Sequence, residues 1–258
     1  MPMGMTLLPR LLIPAMRSDV HGPGRQLLAR ALVSSLGRSM FSGQVTVIRE
    51  DSRPLFKIPR RDVDEFTFTP PPPASHTQKE PPANLDRLGL LASLASLNLE
   101  PRQWVVIVDA ASLVLRNIDH LIDPDFPGPH APPEVDFYWA AGTDGQDASR
   151  GFWAVRGEHL PKVLALWEKL EEALPEGTSE SAVWARVVSL LPLRKKRFEG
   201  GEVVSPEMSA LNWEDVSHSA VVTIPDWPPE EQEQFLQALF FGTYFGDRTG
   251  LMLQILDA

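Results

Sequence analysis

Apolar residues in the first half of the chain alternate between two rhythms. Leu7–Met16 is a short apolar run that ends in turn-forming residues, Arg17-Ser18-Asp19-Val20-His21-Gly22-Pro23-Gly24. Gln26–Leu36 then carries Leu27, Leu28, Ala31, Leu32 and Leu36 at helical spacing, with Gly37 as its expected stop. Val45–Ile48 is β-branched, follows Gly43 and reads as a second strand. Leu85–Leu99 returns to the helical period, with Leu88, Leu91, Ala92, Ala95 and Leu99 on one face. Trp104–Val108 (WVVIV) is apolar without interruption, as a strand covered on both faces should be, and it stops at Asp109. This alternation predicts an α/β fold with a mainly parallel central sheet flanked by helices. Any ligand site should lie beyond the carboxyl ends of the strands.

The second half is less regular. Val135–Ala141 and Gly151–Val155 read as strands separated by a polar turn, Gly142–Arg150. Leu160–Leu174 is a helix with Pro161 in its first turn and Leu160, Val163, Leu164, Trp167 and Leu170 on one side. Ser181–Leu191 is a second helix and Ala220–Ile224 a late strand. Asp226 is placed to cap a last helix that Gly242 ends. Between the second strand and the Leu85 helix, Thr69–Ala83 holds six prolines in fifteen residues, which predicts an extended surface loop. With no internal repeat and no natural linker, residues 1–258 are expected to form a single domain.

Composition narrows the function classes. Twenty-four basic residues against 34 acidic ones leave a net charge of −10, a field that repels nucleic-acid backbones and anionic lipid. The absence of cysteine removes disulfides, thiolate metal sites and a cysteine nucleophile, and suits a reducing cytoplasm. Met5–Met16 is interrupted by Pro9, Arg10 and Pro14 and lacks a basic lead and a cleavage site, so it makes a poor signal peptide. No run approaches the roughly 18 apolar residues of a membrane span. A cytoplasmic, soluble protein is expected.

Familiar catalytic patterns are absent: there is no GxSxG, no P-loop, no HExxH and no complete GxGxxG. Gly22 and Gly24 precede a helix, but Leu27 stands where a third glycine would be needed, which disfavours a dinucleotide-binding oxidoreductase. The six histidines, at 21, 76, 120, 130, 159 and 218, never fall at metal-ligand spacing.

The informative segment is Trp104–Leu121, WVVIVDAASLVLRNIDHL, in which an apolar strand ends at Asp109 and Leu113–Leu115 leads to Arg116-Asn117-Ile118-Asp119. This resembles the segment of glycogenin-like, family-eight nucleotide-sugar transferases in which a strand ends in Asp-x-Asp and continues as Val-Leu-x-Asn-Ile-Asp-x-Leu. The resemblance implies a GT-A fold, a nucleoside-diphosphate sugar as donor and a separate acceptor. It also implies a Mn²⁺ or Mg²⁺ ion that neutralises the diphosphate between two carboxylates. Arg87 falls where such proteins place a basic residue against the donor.

Three positions depart from that pattern. Ala111 stands where the second aspartate should be, with Ser112 as the only nearby hydroxyl. Near Ser179-Glu180-Ser181-Ala182, where the family carries an Asp-Gln-Asp-Ala-like stretch, Glu180 is the one acid left. The family's late metal-binding histidine is replaced by Thr223 or Ile224. The candidate donor-site residues are therefore Asp109, Ser112, Arg87, Arg17, Asp19, Arg150 and Glu180, with Asp109 the sole metal candidate, and no catalytic residue is assigned. Asp109, Arg87 and Arg150 have plainer alternatives, as do the motif residues Asn117 and Asp119. Asp109 can be a turn residue, Arg87 can lie along its helix surface, Arg150 can be a solvated turn arginine, and Asn117 and Asp119 can cap a short helix. The run Arg194-Lys195-Lys196-Arg197 reads as a solvated patch, or as a holder of an anionic ligand. The tryptophans read as core, with Trp213 or Trp227 free to stack on a sugar. Two function classes follow: a glycosyltransferase with a degenerate metal motif, and a non-catalytic relative that binds or scaffolds.

Overall fold

The computed structural model describes residues 7–16, 24–50, 62–69, 84–122, 135–142, 148–175, 177–199, 201–206, 216, 218–224, 227–228, 230–236 and 239. The proline-rich stretch beyond Thr69, the turn carrying Arg17 and Asp19, Trp213, and the limits expected of the last helix at Asp226 and Gly242 lie outside these residues.

A seven-stranded sheet runs through the centre. Its strands are β1 (Arg10–Pro14), β2 (Gln44–Arg49), β3 (Val63–Thr67), β4 (Trp104–Val108), β6 (Phe137–Ala141), β7 (Ala148–Arg156) and β8 (Lys195–Arg197). The order across the sheet is β3-β2-β1-β4-β7-β6-β8, and β7 alone runs antiparallel to its neighbours. A smaller sheet joins β5 (Ser112–Val114), β10 (Val221–Thr223) and β9 (Val203–Val204) in that order.

Alternation along each strand builds two cores. Leu11, Ile13, Trp104, Val106 and Val108 face α1 (Gly24–Arg38) and the small sheet. Leu12, Val105, Ile107 and Trp153 face α2 (Leu85–Ser93), α4 (Leu160–Ala173) and α5 (Glu180–Leu190). All five residues of β4 are buried, as the WVVIV run predicted, because each face lies in one of the two cores, while β1 and β7 pair its two edges.

Several expectations are corrected. Gly37 does not stop α1, which continues through it to Arg38. The Leu85 helix ends at Ser93 rather than Leu99 and buries the opposite face from the one its leucines suggested, with Leu91 43% exposed. The cause is Gly89: a Cβ there would stand 3.0 Å from Met16 Sδ and Ile48 Cγ2, so the helix meets the sheet through its smallest residue. Strand β3 was not foreseen, because VDEFT is charged. It is an edge strand, held by Arg10–Asp64 at 2.7 Å and Arg49–Glu65 at 2.5 Å. Arg150 lies within β7, not in the turn before it, since Ser149 and Ala148 already pair with Ala140 and Ala141. Lys195–Arg197 is exposed as expected, but it forms the edge strand β8. Trp227 is buried against Phe235 and donates its indole N–H to Pro206 O, so it is part of the core and not a sugar platform.

Candidate functional site

Strands β1 and β4 end side by side, and a small cleft opens there. Pro14 at the end of β1, Ile107 and Asp109 at the end of β4, and Arg150 of β7 form one side of it. From the helices above come Asp86 and Leu90 of α2 and Trp167 of α4, while Trp153 completes the floor. This is the carboxyl edge of the parallel strands, where α/β folds bind ligands.

Asp109 is 4% exposed. Its backbone N–H donates to Gly151 O at 2.9 Å, continuing the β4–β7 ladder, and its Oδ1 accepts from Ala111 N at 2.7 Å. The carboxylate is thus oriented by the turn that follows the strand, so the turn-residue and site readings describe one geometry. Arg150, one residue from Gly151, pairs with Glu180 at 2.5 Å. Glu180 opens α5, where Ser179 caps the helix by accepting from Ala182 N at 3.2 Å. Three of the predicted residues, Asp109, Arg150 and Glu180, therefore meet at one place.

Arg87 and Ser112 are engaged elsewhere. Arg87 is buried and does not line the cleft. Its guanidinium donates to Glu168 and Glu171 of α4, each at 2.9 Å, and Asn84 adds a further donor to Glu171. Burial holds the Glu171 carboxyl above the ordinary carboxylate range, an effect that the Arg87 charge opposes. Asn117 and Asp119 have the structural role foreseen for them: Asn117 Oδ1 accepts from Asp119 N at 2.9 Å at the start of α3 (Asp119–Ile122), and Asn117 Nδ2 donates to Met40 O.

The resemblance implies a divalent cation, and the residues present do not fit its ligand set. Antiparallel pairing of β5 with β10 sets Ser112 opposite Thr223, and Ile224 N donates to Ala111 O at 2.9 Å. Two of the three departures from the family pattern, Ala111 and Thr223 or Ile224, are therefore spatial neighbours. Ala111 presents a buried methyl, and the Ser112 and Thr223 hydroxyls, both fully buried, bond to each other at 2.9 Å. That pair spends on itself the oxygens a metal would need. Among the described residues, no group of three or more histidine, aspartate or glutamate side chains could hold a metal ion.

Two cleft residues escaped the sequence reading. Asp86 lies on the face of α2 that the leucine pattern pointed away from, and its signal was an acid one turn from Leu90. Trp167 belonged to a correctly predicted apolar face, which gave no reason to separate it from the core.

In architecture the molecule is an α/β fold with a central sheet flanked by helices, similar to GT-A glycosyltransferase structures. Three solved structures carry that likeness. A glycosyltransferase involved in glycosylation of the major capsid of PBCV-1 matches with a TM-score of 0.53 at 14% identity, over 90% of this chain and 99% of its own. The apo form of the bifunctional glycosyltransferase WbbM matches at 0.53 and 10% identity, over 99% of this chain and 52% of its own. The apo form of the glycosyltransferase GlyE of Streptococcus pneumoniae TIGR4 matches at 0.54 and 10% identity, over 94% of this chain and 64% of its own. The chain thus spans about half and about two thirds of the latter two. No family model and no curated protein sequence matches it. Among the described residues, no helix is long and apolar enough to cross a membrane.

Proposed function

We propose that this protein is a glycosyltransferase-like protein that takes a nucleoside-diphosphate sugar at the carboxyl edge of β1 and β4. The observation that carries the reading is the position of Asp109. It ends the central strand, is oriented by its own turn, and lies in a cleft shared with Arg150 and Asp86. The resemblance of Asp109–Leu121 to glycogenin-like transferases supports it, as does a fold whose solved counterparts are glycosyltransferases. In this reading the donor binds without a metal held by the family's two acids and histidine. An acceptor is also required, and the protein is cytoplasmic.

A second reading has its own support. The Ser112–Thr223 hydrogen bond closes the place where a metal would act on the leaving diphosphate, which favours a non-catalytic relative that binds the donor without transferring its sugar.

Calorimetric titration separates these readings. Uridine and guanosine diphosphates, and their sugars, are titrated into the wild type and Asp109→Ala, with EDTA or with Mn²⁺. Binding in EDTA that Asp109→Ala weakens about tenfold is the expected result, in line with losing a charged hydrogen-bonding group. Micromolar Mn²⁺ binding to the protein alone, abolished by Asp109→Ala, would reinstate a conventional metal site. Release of free sugar or of a glycosylated acceptor from a bound donor then distinguishes enzyme from binding module.

A further inference from the structure

Strand β7 changes register along its length. Trp153 pairs with Trp139 of β6, and Ser149 pairs with Ala140, the very next residue of β6. Arg150, Gly151 and Phe152 are therefore extra on the β7 side, a bulge that interrupts the alternation of side chains. Phe152 and Ala154 belong to the core beneath α1, and Trp153 and Val155 to the core beneath α4 and α5. Continued without the bulge, that alternation would send Arg150 to the α1 side. Instead Ala148 lies in the core beneath α4 and α5, and Arg150 lines the cleft with Leu90, Ile107, Trp153 and Trp167, all members of that core.

We propose that Ser149 is a positioning residue for donor binding: its hydroxyl holds the bulge that keeps Arg150 on the cleft side of the sheet. The inference rests on the nucleotide-sugar reading and states how the backbone aims the cation of that site.

The bulge is fixed from both ends of Gly151. Ser149 is 2% exposed, and its Oγ accepts from Gly151 N at 3.1 Å, which sets the peptide that joins Arg150 to Gly151. Gly151 O accepts from Asp109 N at 2.9 Å, so the same residue ties the bulge to the end of β4. Ser149 is itself anchored: Ser205 Oγ donates to its Oγ at 3.2 Å, and Trp184 Nε1 donates to its O at 2.9 Å. The hydroxyl is thus the side-chain group that links the bulge to its surroundings. The pair of Arg150 with Glu180, which opens α5, lies on the same side of the sheet as the cleft. Among the described residues that line the cleft, Arg150 carries the positive charge. A diphosphate bound without metal needs such a cation from the protein, and a guanidinium serves only when its fork is correctly aimed.

The test is a double-mutant cycle between Ser149→Ala and Arg150→Ala. UDP, GDP, UDP-glucose and GDP-mannose are titrated calorimetrically in EDTA into the wild type, each single variant and the double variant. The expected result is that at least one nucleotide binds, that Arg150→Ala weakens it, and that Ser149→Ala weakens it about fivefold, as for one lost hydrogen bond. In the Arg150→Ala background the same Ser149→Ala change should alter affinity by less than about twofold, because the group it aims has gone. A merely structural serine would lower the melting temperature without this coupling. Ser149→Cys keeps the shape and weakens the acceptor, and it decides the matter if Ser149→Ala does not fold. Equal losses in the two backgrounds would show that Ser149 does not act through Arg150 and would overturn the proposal. If Ser149→Ala or Arg150→Ala binds as the wild type does, while Asp109→Ala weakens binding, the proposal is wrong and the nucleotide-sugar reading stands. If the wild type binds none of the four at millimolar concentration, both fall.

Discussion

Arg87 is 7% exposed, and two glutamates of α4 meet it. On the primary structure alone it was a plausible donor contact; in the fold it ties α2 to α4. The two roles predict opposite phenotypes. Removing one member of a buried ion cluster leaves the others desolvated and uncompensated, at a cost of about 3 kcal/mol; this is the low end of the usual range, because Glu168 is 44% exposed. Arg87→Ala should therefore lower stability by about that amount in urea or thermal unfolding, with nucleotide affinity unchanged. Its pH dependence follows from Glu171. Burial already raises that carboxyl, and losing the arginine raises it further. A raised folded pKa means the penalty is present at neutral pH and fades as the group takes up its proton, so the deficit should shrink as pH falls toward 4.5. A deficit independent of pH, or a selective loss of nucleotide binding, would contradict the tie.

At the scale of elements, the edges of the sheet were hardest to read because their residues carry charge. β8 is a run of three exposed basic residues, and its stability as a strand comes from its surroundings. Arg194 makes two bonds to Asp136 at 2.9 Å, joining the entrance of β8 to the entrance of β6. Lys195 Nζ donates to Val188 O and Ser189 O near the end of α5, where a cation also suits the helix dipole. The Arg194 bonds hold the Asp136 carboxyl below the ordinary 3.8, against the opposing effect of burial. A lowered folded pKa stabilises the protein above the unfolded value, and that contribution is lost as pH falls through the folded one. Asp136→Asn should accordingly melt lower at neutral pH and lose less stability than the wild type on acidification below about 3.8, a difference that thermal melts at stepped pH would resolve. Parallel acid profiles for the two proteins would refute it.

Across the whole molecule, both cores lean on one sheet. β4 sends Trp104, Val106 and Val108 to one face and Val105 and Ile107 to the other, so neither layer can lose its packing without exposing the back of the other. We expect one cooperative unfolding transition, with far-ultraviolet circular dichroism and tryptophan fluorescence coinciding, as for a single domain. Two separated transitions would instead divide the chain into independently folding parts.

Period and apolar content sufficed for β1, β2, β4, α4 and α5, because a strand buried on both faces and a helix with one apolar stripe leave repeating marks in the chain. The same marks located Asp109, since an uninterrupted apolar run ends there, and the resemblance of the segment after it drew attention to Ala111, where that pattern carries an acid. Residue identity alone determined what that position can do: the alanine side chain has no oxygen to offer a metal. Tertiary structure decided everything that depends on which distant residue comes near. It turned α2 about Gly89 so that Asp86 faced the cleft and Leu91 did not, gave Arg87 to the glutamates of α4, and brought Thr223 to Ser112 from 111 positions away. Local periodicity records how much of a residue is buried; its bonding partners are set by the packing of remote elements, for which the linear order carries no periodic signal.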